Sequence, residues 1–219
     1  LLSSSRLMTD LLEDASASIA WLDKVADLKP LGEEALASEI SSLLARHEDA
    51  AEAMRAVRYL RRRETLRTAM GWTLGIVDIE DTCAGLAAID ECTIGAALQI
   101  ALRELQAAPE GAESAEAAEA TEAAEAEETA GEKLLTRIAV IGMGRLGGAE
   151  NGFGSDADVM FVHEPLDGVD EDAAQEQAAR IVNRTLALLK QPVKPAIRAE
   201  RPLEVDGGLP GCCGLLIWR

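Results

Sequence analysis

The sequence predicts an α+β protein, with a helical region over residues 1–106 and a small strand-containing domain over 134–206, and three observations carry that prediction. Apolar residues recur at spacings of three and four through most of the first hundred positions. From Leu134 the texture changes to short β-branched runs closed by glycines. Between the two lies a run of alanine and glutamate with almost nothing to bury. With 219 residues, 48% of them hydrophobic, the chain has material for one large core or two small ones.

In the helical region the periodicity is clearest over 36–44 and 51–70. Thr93 is expected to cap a further helix over 94–105, where Ile94, Ala97, Leu98, Ala101, Leu102 and Leu105 form one stripe. Arg55, Arg58, Arg61, Arg62, Arg63 and Arg67 make the 51–70 segment strongly basic. Such a helix suits phosphates or an acidic partner surface, or it is a solvated face with Glu64 as a local partner. Cys83 and Cys92 read as small buried helical residues. They lie far from Cys212 and Cys213, so neither a zinc spacing nor a disulfide framework emerges. His47 and His163 read as surface residues.

Residues 107–133 place glutamate at nearly every third position among alanines, a spacing that drifts around a helix and leaves no apolar face. The segment reads as a solvated linker or insertion. Its nine glutamates account for half of the net charge of −18, so the acidity says little about the folded parts. The first residue is Leu, and neither a secretory leader nor an apolar run able to span a bilayer is apparent. An internal fragment of a soluble cytoplasmic protein is expected, with no membrane or nucleic-acid partner.

In the second domain, 137–141 (RIAVI) and 156–162 (DADVMFV) are strand candidates. A helix follows over 171–190, with Ala174, Ala178, Ile181, Val182, Leu186 and Leu189 on its inner side and Pro192 to stop it. Residues 202–206 (PLEVD) read as a third short strand.

The glycine loop after the first strand, Gly142-x-Gly144-x-x-Gly147, matches a dinucleotide-binding fingerprint letter by letter. Its context does not fit. Only residues 149–155 separate Gly148 from Asp156, too few for a crossover helix, and Asp156 and Asp158 open the second strand rather than end it. As a pair the aspartates make better sense. Side chains at i and i+2 of a strand share a face, which puts two carboxylates where they can share metal ions. Mg²⁺ favours such hard oxygen ligands and completes its shell with water and phosphate oxygens. Glycines just upstream let a backbone approach those phosphates. A third acid is needed to hold the metal that activates the attacking oxygen. Asp206, at the end of the third strand candidate, suits that role, and Glu204, two residues earlier on the same face, is its rival.

The run 138–162, IAVIGMGRLGGAENGFGSDADVMFV, resembles the nucleotidyltransferase signature of glutamine synthetase adenylyltransferase, the bifunctional adenylyltransferase and adenylyl-removing enzyme, particularly in its actinobacterial forms. Residues 203–206 (LEVD) resemble the strand that bears the family's third aspartate, and 61–67 (RRRETLR) a basic helix preceding the domain. The resemblance implies a truncated polymerase-β-like nucleotidyltransferase domain, closer to the C-terminal copy, which attaches AMP, than to the copy that removes it by phosphorolysis. It implies transfer of AMP from ATP to a tyrosine of glutamine synthetase with Mg²⁺ as cofactor, and a PII-type regulatory protein as a further partner. Asp156, Asp158 and Asp206 would be the metal ligands and catalytic acids. Gly147, Gly148 and Ser155 would line the triphosphate, with Arg145 either adding a charge-assisted contact or standing as an ordinary surface residue.

After Asp206 the family's basic Leu-Arg-Pro run is absent, and 207–219 reads as an atypical tail, a truncation or a frame shift. Two other readings stay open: a non-catalytic helical interaction fragment whose second half does not fold, and a dinucleotide-binding module.

Overall fold

The computed structural model describes residues 6–14, 24–107, 131–191, 205–206 and 216–217. Residues 108–130 of the predicted linker, the stop at Pro192, Glu204 and most of the tail lie outside the described residues.

The helical part consists of α1 (Arg6–Asp14), a 3₁₀ turn (Val25–Leu28), α2 (Glu33–Arg46), α3 (Ala50–Thr73) and α4 (Ile79–Ala107). Each longer helix starts on a local signal. Glu33 and Glu34 sit in the first turn of α2, where a negative charge favours the helix dipole. Asp49 caps α3 by accepting the Glu52 N–H at 2.8 Å. Asp78 does the same for α4, accepting the Asp81 N–H at 2.8 Å. The expected boundary at Thr93 does not exist. Thr93 is buried inside one continuous helix, its hydroxyl donating to the Ile89 carbonyl one turn back at 2.7 Å instead of capping. Cys83 and Cys92 are helical as expected but only half-buried.

By length and hydropathy α4 is able to cross a membrane, contrary to the expectation that no such run is present. Here it is the central helix of the bundle, packed on α2 and α3 with Ile94, Ala97, Ile100 and Ala101 buried.

The second part runs β1 (Thr136–Gly142), a single helical turn α5 (Gly144–Gly147), β2 (Ala157–Pro165), α6 (Glu171–Lys190), β3 (Val205–Asp206) and β4 (Leu216–Ile217). This is the predicted order of strand, glycine loop, strand, helix and strand. β1 pairs antiparallel with β2, from Thr136 opposite Pro165 to Gly142 opposite Val159. β3 lies parallel to the other edge of β2, and so does β4. Because β1 and β2 are antiparallel, the dinucleotide-binding alternative falls, since that unit requires two parallel strands joined by a full helix.

Burial alternates along both strands with the period of two that a half-covered sheet imposes. Ala157, Val159, Phe161 and His163 point inward, beneath α6. Asp158, Met160 and Val162 belong to the opposite, half-open face, with exposed Ile141 beside Met160.

The two parts share one core. Leu146, Val159, Phe161, Ile181 and Leu189 cluster with Ile40, Met54, Val57, Ile94 and Ile100. Polar contacts reinforce this seam. Arg58 of α3 donates to the Leu188 carbonyl at 2.9 Å, which also accepts the Gln191 N–H, and to the carbonyl of Leu189, so a charged donor is held at the end of α6 where the last carbonyls gather. Arg184 of α6 forms a bidentate pair with Glu104 of α4, both bonds at 2.6 Å.

Candidate functional site

The residues singled out in the sequence converge on the mouth of β2. Asp156 immediately precedes the strand and is exposed; Asp158 is its second residue and half-buried on the open face. Neither carboxylate receives a hydrogen bond or ion pair from another described residue. The ladder continues to the mouth through the Met143 N–H, which donates to the Asp158 carbonyl at 2.8 Å. On the other edge, the register puts Val205 opposite Ala157 and Asp206 opposite Asp158, so β3 delivers the third predicted acid to the same end of the sheet.

The glycine fingerprint has a steric explanation in this turn. Gly144 has φ +53°, and a Cβ there would sit 2.6 Å from Asp158 Oδ2. A Cβ at Gly147 would come within 2.4 Å of the Gly142 carbonyl oxygen. The turn therefore folds flat against the strand mouth only with glycine at both positions. The Gly147 N–H donates to the Met143 carbonyl at 2.9 Å and the Gly148 N–H to the Gly144 carbonyl at 3.1 Å. What these two glycines leave for a ligand is room for the backbone rather than uncommitted donors.

Ser155 accepts the Gly152 N–H on Oγ at 2.8 Å, and its own N–H donates to the Gly152 carbonyl at 3.1 Å. This closes a tight turn directly before Asp156. Arg145 is exposed on α5, its Nε donating to the Glu150 carbonyl at 3.2 Å, which folds the guanidinium over the same loop.

The donor chemistry at the mouth fits a hard divalent cation: oxygen ligands only, with two carboxylates that no described side chain neutralises. Among the described residues no group of three His, Cys, Asp or Glu side chains is gathered for a metal. The strand register is the observation that brings Asp206 alongside the other two.

The basic helix keeps Glu64 as the local partner expected of a solvated face, and Arg55 stays exposed beside Glu52, but Arg58, Arg61, Arg63 and Arg67 are drawn into contacts within the protein. Glu64, only 1% exposed, accepts Arg63 Nε and Arg67 Nε, both at 2.7 Å. Arg63 also forms a bidentate pair with Glu39 at 2.8 and 2.7 Å, a hydrogen bond that holds the Glu39 carboxyl below its ordinary value against the opposing effect of burial. Arg61 Nε donates to Asp90 Oδ1 at 2.8 Å.

Asp90 was missed by the sequence reading. It is 6% exposed on α4, and its second oxygen accepts Nδ2 of Asn151, a wholly buried residue of the loop before Asp156, at 3.0 Å. The available signal was an acid flanked by the apolar stripe of a long helix, a position where a charge persists only when answered.

His163 overturns its expectation as a surface residue. It is 1% exposed because the period of β2 points it into the core, where Nδ1 meets the Thr136 hydroxyl at 3.2 Å and Nε2 lacks a partner among the described residues. Burial pushes its pKa down.

Residues 1–198 match the sequence profile of the glutamate-ammonia ligase adenylyltransferase family. Among curated proteins, the chain is 38% identical over 181 residues to a bifunctional glutamine synthetase adenylyltransferase/adenylyl-removing enzyme of Leifsonia xyli subsp. xyli, covering 83% of this chain and 15% of that protein. It is also 38% identical over 212 residues to the enzyme of that name in Streptomyces coelicolor, covering 95% of this chain and 19% of the relative. The Mycolicibacterium smegmatis protein of the same name matches at 38% over 176 residues, 80% of this chain and 15% of the relative. The chain thus spans less than a fifth of the length of each of these relatives.

Proposed function

The chain belongs to the glutamate-ammonia ligase adenylyltransferase family, and from that premise we propose that residues 134–206 form the core of a polymerase-β-like nucleotidyltransferase domain acting on ATP. Asp156, Asp158 and Asp206 would hold Mg²⁺ together with the triphosphate. A bound Mg²⁺ supplies charge neutralisation at the phosphates and at the reacting oxygens. The observation that carries the reading is the meeting of two unneutralised carboxylates with the register position of a third, beside a turn flattened by glycine.

The proposed reaction joins AMP to a tyrosine of glutamine synthetase. The phenolic oxygen attacks the α-phosphorus in line, the bond from that phosphorus to the pyrophosphate oxygen breaks, and pyrophosphate leaves. Asp206 would accept the phenolic proton. Gly147, Gly148 and Ser155 would border the triphosphate, and Arg145 lies close enough to that loop to reach a phosphate oxygen after releasing the Glu150 carbonyl. Glutamine synthetase is the protein partner this reading requires, and a PII-type protein its proposed regulator.

Calorimetric titration of ATP into the chain, with and without Mg²⁺, tests the site directly. Metal-dependent binding that disappears in the Asp156→Asn, Asp158→Asn double variant is the expected result. Equal binding by that variant, or binding indifferent to Mg²⁺, would remove the carboxylates from the site.

A further inference from the structure

The loop that carries the sequence into Asp156 is fastened to the helical half of the molecule rather than to the sheet it serves. Asn151 is 0% exposed and hydrogen-bonds to Asp90 on α4, which Arg61 on α3 holds in turn. Two residues later, Phe153 packs on the apolar cluster of Met8, Leu66, Ala69 and Met70 from α1 and α3. The Gly152–Ser155 turn, closed by its own two hydrogen bonds, then passes the constraint to Asp156 and to fully buried Ala157. Asn151 has its Oδ1 buried without a partner among the described residues, so its hold on the helices runs through the Nδ2 bond to Asp90.

We propose that Asp90 and Asn151 are positioning residues, a tether by which α3 and α4 set the place and direction of the Asp156 and Asp158 carboxylates. The proposal rests on the reading of those carboxylates as cation and triphosphate ligands. A buried amide donating to a buried, arginine-held carboxylate is a short link with little freedom, and its acceptor cannot move without the helix that carries it. Outer contacts that orient metal-binding carboxylates commonly change metal affinity by about 10- to 100-fold when removed. The geometry thus makes the helical half a component of the site without any of its residues touching the ligand.

The test uses the 219-residue chain with Mn²⁺·ATP as probe, reading its affinity by electron paramagnetic resonance and loop order by amide hydrogen exchange over 152–158. Asn151→Ala should weaken Mn²⁺·ATP binding about tenfold and speed exchange in that loop, while amides in α3 and α4 keep their protection. Asp90→Asn keeps an acceptor for Asn151 and should show a smaller loss of affinity. Should Asn151→Ala fail to fold, Asn151→Ser, which removes the Nδ2 donor to Asp90 but keeps a polar group at the buried position, carries the same two readouts. Wild-type binding that persists unchanged in whichever of Asn151→Ala and Asn151→Ser folds, with loop exchange unaltered, overturns the tether and leaves the nucleotide reading standing. Absence of Mn²⁺·ATP binding in the wild-type chain defeats that reading, and with it the purpose assigned to the tether. The exchange data then still report whether Asn151 orders the loop.

Discussion

The arginines of α3 and the aspartates at the mouth of β2 are both charged clusters displayed on regular elements, and the fold treats them in opposite ways. Arg58, Arg61, Arg63 and Arg67 turn toward carbonyls and carboxylates of neighbouring segments, so the charge that looked like a ligand surface is consumed inside the protein. Asp156 and Asp158 are left unanswered by every other described residue, at a strand end where a third acid arrives in register. A charge answered within the chain holds the chain together, whereas adjacent like charges left unanswered cost stability until something else neutralises them. The difference marks which cluster is structural and which is open to a ligand.

Breaking the answered cluster should have the largest effect. Glu64→Ala leaves Arg63 and Arg67 without their shared buried carboxylate and should lower stability by about 3–5 kcal/mol, read from urea unfolding of the chain. A loss under 1 kcal/mol, roughly what an exposed pair contributes, would mean that this network is solvated after all.

The buried histidine sharpens the comparison by pH. Its folded pKa lies below its ordinary value of 6.5, so the unfolded state takes up protons first as the pH falls. Its contribution is therefore intact above that ordinary value and is lost as the pH drops from there toward the folded pKa. The stability of the wild-type chain measured against His163→Phe should decline as the pH falls below 6.5. A difference independent of pH in that window would place His163 in contact with water.

Neutralising the unanswered cluster should do little to the fold. The Asp156→Asn, Asp158→Asn double variant should match the wild-type chain within about 0.5 kcal/mol in the absence of ligand, or exceed it slightly as repulsion is relieved. A large loss would show that the two acids have structural partners. The smallest effect is expected at the exposed Arg137–Glu164 pair on the open face of the sheet, 3.0 Å apart. Arg137→Ala should cost no more than about 0.5 kcal/mol, and raised salt should remove even that.

Local signals in the sequence carried the elements of the second part well. The glycine punctuation, the β-branched runs and the 3.6-residue periodicity over 171–190 predicted both ends of β1 and the start of β2 to within one residue and α6 at both ends, because caps and periodicity act within a few positions of one another. The same logic failed at Thr93, where a hydroxyl able to cap a helix also fits inside one by bonding one turn back, and only the packing of α4 decides between the two. It failed at His163 because a strand predicted to end at Val162 runs on to Pro165, and the period of two carries the imidazole inward.

The candidate site divides along the same line. Its candidate residues could be picked out in the sequence: paired aspartates two residues apart, glycines just before them, and a further acid after the next helix, all defined by residue type and short spacing. Only the tertiary structure decided that β1 and β2 are antiparallel, that Asp206 takes the register beside Asp158, and that Arg58, Arg61, Arg63 and Arg67 of α3 find partners within the protein. It alone joined Asn151 to Asp90 across 61 residues. Such pairings depend on which surfaces meet when the core forms. A meeting of segments so distant in the chain is set by the sum of many burial energies, which no local window of sequence contains.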